Sequence, residues 1–355
     1  TTTNNNTAVG YGALGENTAS NNTALGNSAL GVNTTGTSNA SVGYYALGAN
    51  TTGTYNTAMG AYALDANTTA NSNTAFGYGS LSACTTGGDN NALGFHAAVN
   101  VTTGSDNVAI GNNALYSLTT TTRNIAIGKN ALYACTSTQN VAVGYGALDA
   151  MTTGSESVAI GDHAGTSSTG SHNTFIGHSA GGAATTGSDS VFIGSMAGDH
   201  DTSTTDGDRA TIAGSRANAS TSGSSQEAVY GYNVTGKGTN TFMVGGTSGA
   251  YNDANNSTWS TTSDIRIKKN INDNATGLDK INQIQVKNFE YKTEDEIKTD
   301  SPELTDVVKS AVVHKEGVQV GSIAQEIENI LPEVVRTDEH GVKSVNESPL
   351  TWYMI

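Results

Sequence analysis

Among the 355 residues, the segment Ser263-Asp264-Ile265-Arg266-Ile267-Lys268-Lys269-Asn270-Ile271 gathers the side chains best suited to chemistry. A serine hydroxyl is a poor nucleophile until a base takes its proton. A lysine amine, ordinarily near pKa 10.4, can be that base at neutral pH only when it is desolvated or lies beside another cation. Arg266 and Lys269 are close enough in sequence to supply one. Taken alone, a serine five residues before a lysine is a weak signal and reads as the start of an ordinary strand. A second candidate is the oxygen-rich stretch Asp199-His200-Asp201 with Asp206-Gly207-Asp208. Such loops can hold Ca²⁺, but no calcium-loop signature is present, and the segment reads as a solvated acidic loop. No cofactor and no metal is expected.

Composition narrows the setting for that chemistry. The chain is 36% hydrophobic and 13% charged, with 43 Gly, 3 Pro and 2 Cys. Ordinary domains are about 25% charged and about 7% glycine, so this chain is charge-poor and glycine-rich, without the strict third-position glycine of collagen. No run of about 18 apolar residues exists, which excludes a helical membrane span, and no signal peptide is visible. The first residue is Thr1 rather than Met, which suggests a fragment or a processed piece. A net charge of −15 argues against a nucleic-acid partner. The charge is unevenly spread: up to Thr262 there are 5 Lys+Arg and 14 Asp+Glu, and from Ser263 onward 11 and 17. Only four glycines, Gly277, Gly317, Gly321 and Gly341, lie in the second part. A boundary therefore falls near Ser263, at the candidate chemistry itself.

The first part is a repeat. A small-apolar-Gly core recurs from Ala8-Val9-Gly10 through Ala58-Met59-Gly60 and Ala109-Ile110-Gly111 to Phe192-Ile193-Gly194, every 16 or 17 residues. A short fixed period marks a solenoid, in which stacking, not any single unit, buries the core. This period is too short for helical repeats and predicts two short strands and two turns per rung. Twelve regular rungs at about 4.8 Å would span roughly 55 Å. The spacing loosens after Gly194, to Gly214, Gly231 and Gly245, and residues 246–262, with Trp259, read as a neck.

Columns follow from phase. The residue before each Gly is large and apolar; the residue two before is mostly Ala and shares a strand face with the Gly. That small-residue face can be approached closely by another wall or another chain. Ala and Leu follow at three and four after the Gly, as in Ala46-Leu47, until the Leu becomes Gly165, Gly181 and Gly198, so the cross-section must change there. Seven after the Gly the column reads Asn17, Asn33, Asn50, Asn67, then Cys84, Val101, Leu118, Cys135, Met151. This predicts an asparagine ladder followed by a buried apolar stack. The two cysteines lie three rungs apart, roughly 14 Å, beyond the Cα separation of about 7 Å that a disulfide allows. They read as packed small hydrophobes, with pairing across neighbouring chains the other possibility. His163, His172, His178 and His200 fall at different phases and read as surface residues of turns rather than a metal set.

The recurring Asn-x-Ala-apolar-Gly-x-x-Ala-Leu resembles the left-handed β-roll head repeats of trimeric autotransporter adhesins, which also occur in phage and prophage tail fibres. The resemblance spans residues 1 to about 200 and implies a homotrimer with the rolls side by side.

The second part reads as a small α+β domain. Ser322 with Gln325 has the spacing of a capping box; Ile323, Ile327 and Ile330 form one helical stripe, and Pro332 ends it. Val312-Val313, Val318 and Val320 suggest strands, and Leu278, Ile281 and Ile284 a helix over 274–285. Val334-Val335 and Val342 flank a turn at Asp338-Glu339-His340-Gly341, a hairpin. Two motifs, Ser263-Asp264-x-Arg266-x-Lys268-x-Asn270-Ile271 and Gly321-x-Ile323-Ala324-Gln325-Glu326-x-Glu328-x-x-Leu331-Pro332-Glu333, resemble the C-terminal intramolecular chaperone of endosialidases, tail spikes and L-shaped tail fibres. The resemblance covers 263–355, stopping where that family's long C-terminal helix would run. It implies a domain that trimerises, guides folding of the stalk before it, and cuts itself off with a Ser-Lys dyad. Carried onto this sequence, Ser263 is the nucleophile, Lys268 the general base, and Thr262–Ser263 the scissile bond.

The expectation is therefore a mainly β, homotrimeric chain: a β-roll over 1–200, irregular rungs and neck over 201–262, and a chaperone domain over 263–355. Its expected role is structural and receptor-contacting, in an extracellular tail fibre of a virion that folds in the host cytoplasm before assembly. The expected enzyme activity is a single autoproteolytic event. Expected partners are two further copies, other fibre and virion proteins, and a host cell-surface receptor or glycan. A bacterial autotransporter-like adhesin is one alternative; it would need a coiled-coil stalk and a membrane barrel. A polysaccharide-degrading spike is another; it would need clustered carboxylates on one roll face, which the sequence lacks.

Overall fold

A computed structural model describes residues 5–198, 208–221, 223–245, 250–253, 259–260, 278–300, 317–337 and 342–345. The chain divides into two compact units, 1–262 and 263–355.

The first unit is a parallel β-solenoid. Fifteen short strands, one per rung from Thr7–Val9 to Thr241–Val244, pair in parallel with like residues stacked on like. Ala58 faces Ala75 and Ala75 faces Ala92 across successive rungs, and Met59, Phe76 and Leu93 stack beside them. The parallel stack runs on through the irregular rungs, Thr211–Ala213 and Ala228–Tyr230 included. The segment read as a neck then reverses direction: Ala250–Asp253 pairs antiparallel with Thr241–Val244, and Trp259–Ser260 antiparallel with Ala250–Asp253.

Each rung has one strand, not the two that the period predicts. The remainder is turn, yet the turns are bonded from rung to rung as regularly as the strands. The Leu30, Leu47 and Leu64 amides donate to the Ala46, Ala63 and Ser80 carbonyls at 3.0–3.1 Å. These leucines hold left-handed backbone, φ 51–52°, a conformation disfavoured for such residues that is offset by burying the whole side chain.

The orientation of the strand faces decides what the surface looks like. The alanine face points inward: Ala24, Ala75, Ala109 and Ala142 are fully buried against the turn leucines of the same coil. The neighbour that the small-residue face approaches is thus the coil's own second wall. The large aliphatics point outward, with Leu25 at 47% and Leu93 at 49% exposure. A coil of 16 or 17 residues is too narrow to take Ile or Leu from both walls.

Two amide columns tie the rungs together. In the expected one, Asn33, Asn50 and Asn67 each donate Nδ2–H to the Oδ1 of the preceding member at 2.6–2.8 Å. It ends at Asn67, whose buried Oδ1 has no partner because the next rung offers Cys84. The apolar continuation, Cys84, Val101, Leu118, Cys135 and Met151, is buried throughout. Both cysteines are free. Burial pushes the Cys84 thiol up to about 11 and also raises that of Cys135, so neither is a reactive thiolate at neutral pH. The second column, four residues before each Gly, is longer. The Asn39, Asn56, Asn73 and Asn90 amides donate to Oδ1 of Asn22, Asn39, Asn56 and Asn73 at 2.9–3.0 Å. Each Nδ2 in turn donates to a turn carbonyl, as Asn39 does to Gly53 at 2.8 Å. Buried amides satisfied on both sides fix the rung register.

One buried group works against the stack. Asp65 stands where neighbouring rungs carry Gly48 and Ser82, and its Oδ1 is buried without a partner. Desolvation holds its carboxyl above the ordinary range, opposed by the amides of Asp65 and Ala66. A raised carboxyl pKa means that the folded chain favours the protonated form. Asp65 therefore costs no stability below the unfolded value near 3.8, and its penalty grows as pH rises through the folded value. Asp65→Asn is expected to raise the thermal midpoint by a few degrees at most at pH 7, with the difference closing toward pH 3. Melting curves of both proteins across that range check it.

Candidate functional site in the C-terminal unit

The described part of the second unit is built on a small core. Ile327, Leu331 and Val334 are buried, with Ile281, Ile284, Ile330, Val335 and Val345 packed against them. Lys287–Phe289 pairs antiparallel with Gln319–Gly321. That strand leads into the helix Ala324–Glu328, a 3-10 turn Pro332–Val334, and a hairpin of Val335–Thr337 with Lys343–Val345. The hairpin is the one expected; its turn, 338–341, lies outside the described residues, as do Val312 and Val313.

Helix boundaries differ from the sequence reading. The helix expected over 274–285 is the single turn Leu278–Ile281, with Ile281 and Ile284 still turned to the core. Ser322 does not cap its helix: the N-cap is Ile323, without a side-chain bond, because the strand runs to Gly321 and the helix starts one residue late. That helix ends at Asn329, ahead of Pro332, which opens the 3-10 turn instead. A reciprocal capping box forms at Thr293 and Glu296, before the helix Glu294–Asp300. Glu296 Oε2 accepts from the Thr293 amide at 2.8 Å and its hydroxyl at 2.9 Å, while Thr293 Oγ1 accepts from the Glu296 amide at 3.4 Å. The Thr293 amide bond, foremost, lowers the Glu296 carboxyl below its ordinary value. This Thr-x-x-Glu spacing was in the sequence and was missed.

Charged side chains knit the surface of the unit. Lys343 pairs with Glu328 at 2.7 Å and Lys292 with Asp300 at 2.7 Å, and Lys287 bonds Glu326. A cavity of about 250 Å³ lies among Gln283, Ile284, Gln285, Ile323, Glu326 and Ile330, with Ile327 at its base. Two amides and a paired carboxylate over isoleucine walls can hold a chain segment; among the described residues, no serine or lysine lines the cavity. Thr262, Ser263 and Lys268, the expected scissile and catalytic residues, lie outside the described residues, as do Arg266 and Lys269.

Of the other sequence candidates, 199–207 lie outside the described residues, and Asp208 accepts from the Ser188 amide at 2.9 Å. His172 lies between Glu156 and Asp189, at 3.7 and 3.3 Å, while His163 pairs with Asp162 and meets the edge of Tyr145. Among the described residues no three His, Cys, Asp or Glu side chains group as metal ligands, and no helix is long and apolar enough to cross a membrane.

Residues 263–336 match the family described as chaperone of endosialidase. No curated protein and no solved structure matches the chain. A β-solenoid followed by a segment similar to that chaperone fits a tail-fibre- or spike-type protein.

Proposed function

We propose that the chain is part of a homotrimeric tail fibre of a bacteriophage, contacts the host surface, and carries a C-terminal domain that guides trimer folding and releases itself at Thr262–Ser263. The observation that carries this reading is the similarity of 263–336 to the endosialidase chaperone immediately after a β-solenoid. The outward aliphatic column supports trimerisation. Leu25, Met59, Leu93, Ile110, Ile160 and Ile193 are exposed members of one apolar column that runs along the solenoid, the kind of surface that marks an interface. Copies packing on this line would bury it; the alanine face is already occupied within the coil.

The cleavage balances as an acyl shift followed by hydrolysis. Ser263 Oγ attacks the Thr262 carbonyl carbon, and its proton passes to a neutral Lys268 amine. The Thr262–Ser263 C–N bond breaks, the Ser263 nitrogen takes a proton back, and an ester joins Thr262 to Oγ. Water hydrolyses that ester, leaving a Thr262 carboxylate and a free Ser263. Mass spectrometry of freshly expressed protein is expected to find fragments ending at Thr262 and starting at Ser263. Ser263→Ala and Lys268→Ala should both stay intact, as should Lys268→Arg, since a guanidinium does not deprotonate. Light scattering of these uncut variants should give three times the chain mass. An uncut wild type, or a variant that cuts normally, refutes the dyad.

A further inference from the structure

Six rings form a continuous stripe on the turn that follows the glycine column. Tyr44 and Tyr45, Tyr62, Tyr78, and Phe95 with His96 come from four consecutive rungs. Neighbouring centroids along the stripe are 4.0–6.4 Å apart; Tyr78 and Phe95 stack at 5.6 Å and 14°, and Tyr44 meets the edge of Tyr62 at 5.3 Å. The rings stay open to solvent, with Tyr44 at 46% and Tyr78 at 49% exposure. Tyr45, Tyr62 and His96 also hold left-handed backbone, φ 53–60°, where Gly or Asn is at ease. The turn leucines offset the same strain by burial; exposed rings gain little from burial, so the strain points to what they present outward.

We infer that this stripe binds an uncharged glycan chain lengthwise, an inference that gives the host-contact reading above its ligand class. Three observations select the occupant. First, the two columns carry no Lys, Arg, Asp or Glu over these four rungs, and the first Lys or Arg of the chain is Arg123. Nucleic acid stacks on such rings only with a cationic groove to hold its backbone, so it and acidic glycans are disfavoured. Second, the stripe is not a seam between copies. Both columns turn polar at the next rungs, Asn27 and Ser28 on one side and Asn112 and Asn113 on the other, whereas the outward aliphatic column continues along the solenoid. Third, ring-bearing rungs recur at roughly 4.8 Å, about the advance of one hexopyranose unit, while an extended peptide repeats its side chains at roughly 7 Å and falls out of step. Sugar C–H faces would lie on the rings, with the tyrosine hydroxyls and the flanking Asn27 and Asn112 amides left to meet sugar hydroxyls.

The test is binding of the intact protein to an immobilised panel. The panel holds neutral oligomers and polysaccharides of glucose, galactose, mannose and N-acetylhexosamines, with sialylated and sulfated glycans and single-stranded DNA beside them. At least one neutral member is expected to bind, and Tyr62→Ala combined with Phe95→Ala should weaken it at least tenfold. Ala61→Glu keeps every ring and places a carboxylate in mid-stripe, and should weaken binding without altering the far-ultraviolet spectrum. No neutral member bound, binding to anionic members alone, or binding indifferent to both variants overturns the inference. Light scattering on the same samples separates the two readings: a trimer without neutral-glycan binding defeats the stripe alone, and a monomer that binds defeats the fibre reading alone.

Discussion

Gly111→Ala is expected to be among the most damaging single-methyl changes in the solenoid, lowering stability by about 3–5 kcal/mol. Gly111 holds φ +135°, and a Cβ there would lie 2.5 Å from the Gly128 carbonyl oxygen and 2.6 Å from its carbon. Real side chains do not approach backbone so closely, and the obstacle is the next rung's main chain, which cannot swing aside. The same collision recurs along the column, at 2.4 Å for Gly60 against Gly77 and 2.3 Å for Gly128 against Gly144. The glycines are therefore a condition of stacking: each leaves the space that the following rung's peptide fills. Denaturant unfolding of the variant checks the loss, and a cost below about 1 kcal/mol would mean that the rungs can separate locally without consequence.

A control separates strain from collision. Gly12 also has positive φ, +66°, but a Cβ there would make ordinary contacts with Ser28 alone, 3.5 Å from its Oγ and 4.0 Å from its Cα. Ser28, Tyr45 and Tyr62 occupy the same column with φ of 56–60°. Gly12→Ser should accordingly fold with little change, although both glycines have positive φ.

The period, the rung stacking and the inward amide column were legible because each depends on one residue type recurring at one phase. Face orientation was not legible in the same way. A three-residue strand such as Ala58-Met59 with Thr57 alternates in either orientation, and only the width of the coil decides that Ala58 goes in and Met59 out. The longer amide column was visible as Asn39, Asn56 and Asn73, but its function depends on a backbone N–H one rung away, which no local pattern encodes. The aromatic stripe was hidden because it alternates between two adjacent columns, Tyr44 in one and Tyr62 in the other. In the second unit, the core residue Ile327 was legible from the helical stripe, while the cap at Ser322 failed because the strand before it claims the residues that would start the helix.

The change of cross-section after Gly161 has a specific physical cause, and it yields the second large prediction. Where the strand alanine gives way to Phe175, the turn leucine gives way to glycine. A Cβ on Gly165 would lie 2.5 Å from Phe175 Cδ2 and 2.7 Å from Leu148 Cδ2, because the phenyl ring fills the volume that a turn leucine fills upstream. Phe175 and Phe192 are fully buried, with ring centroids 5.6 Å apart. Phe175→Ala alone should cost about 3–5 kcal/mol by opening a cavity. Gly165→Leu alone should cost about 1–3 kcal/mol or more by overpacking against the ring. Together they restore leucine and alanine in the columns where Leu148 and Ala159 stand one rung earlier, on backbone already left-handed at both turns, φ 62° and 51°. The double variant should therefore be more stable than Phe175→Ala, with a coupling of about 2 kcal/mol or more in a double-mutant cycle. Additive losses would show instead that phenyl and leucine occupy separate volumes and that their exchange along the chain is coincidental.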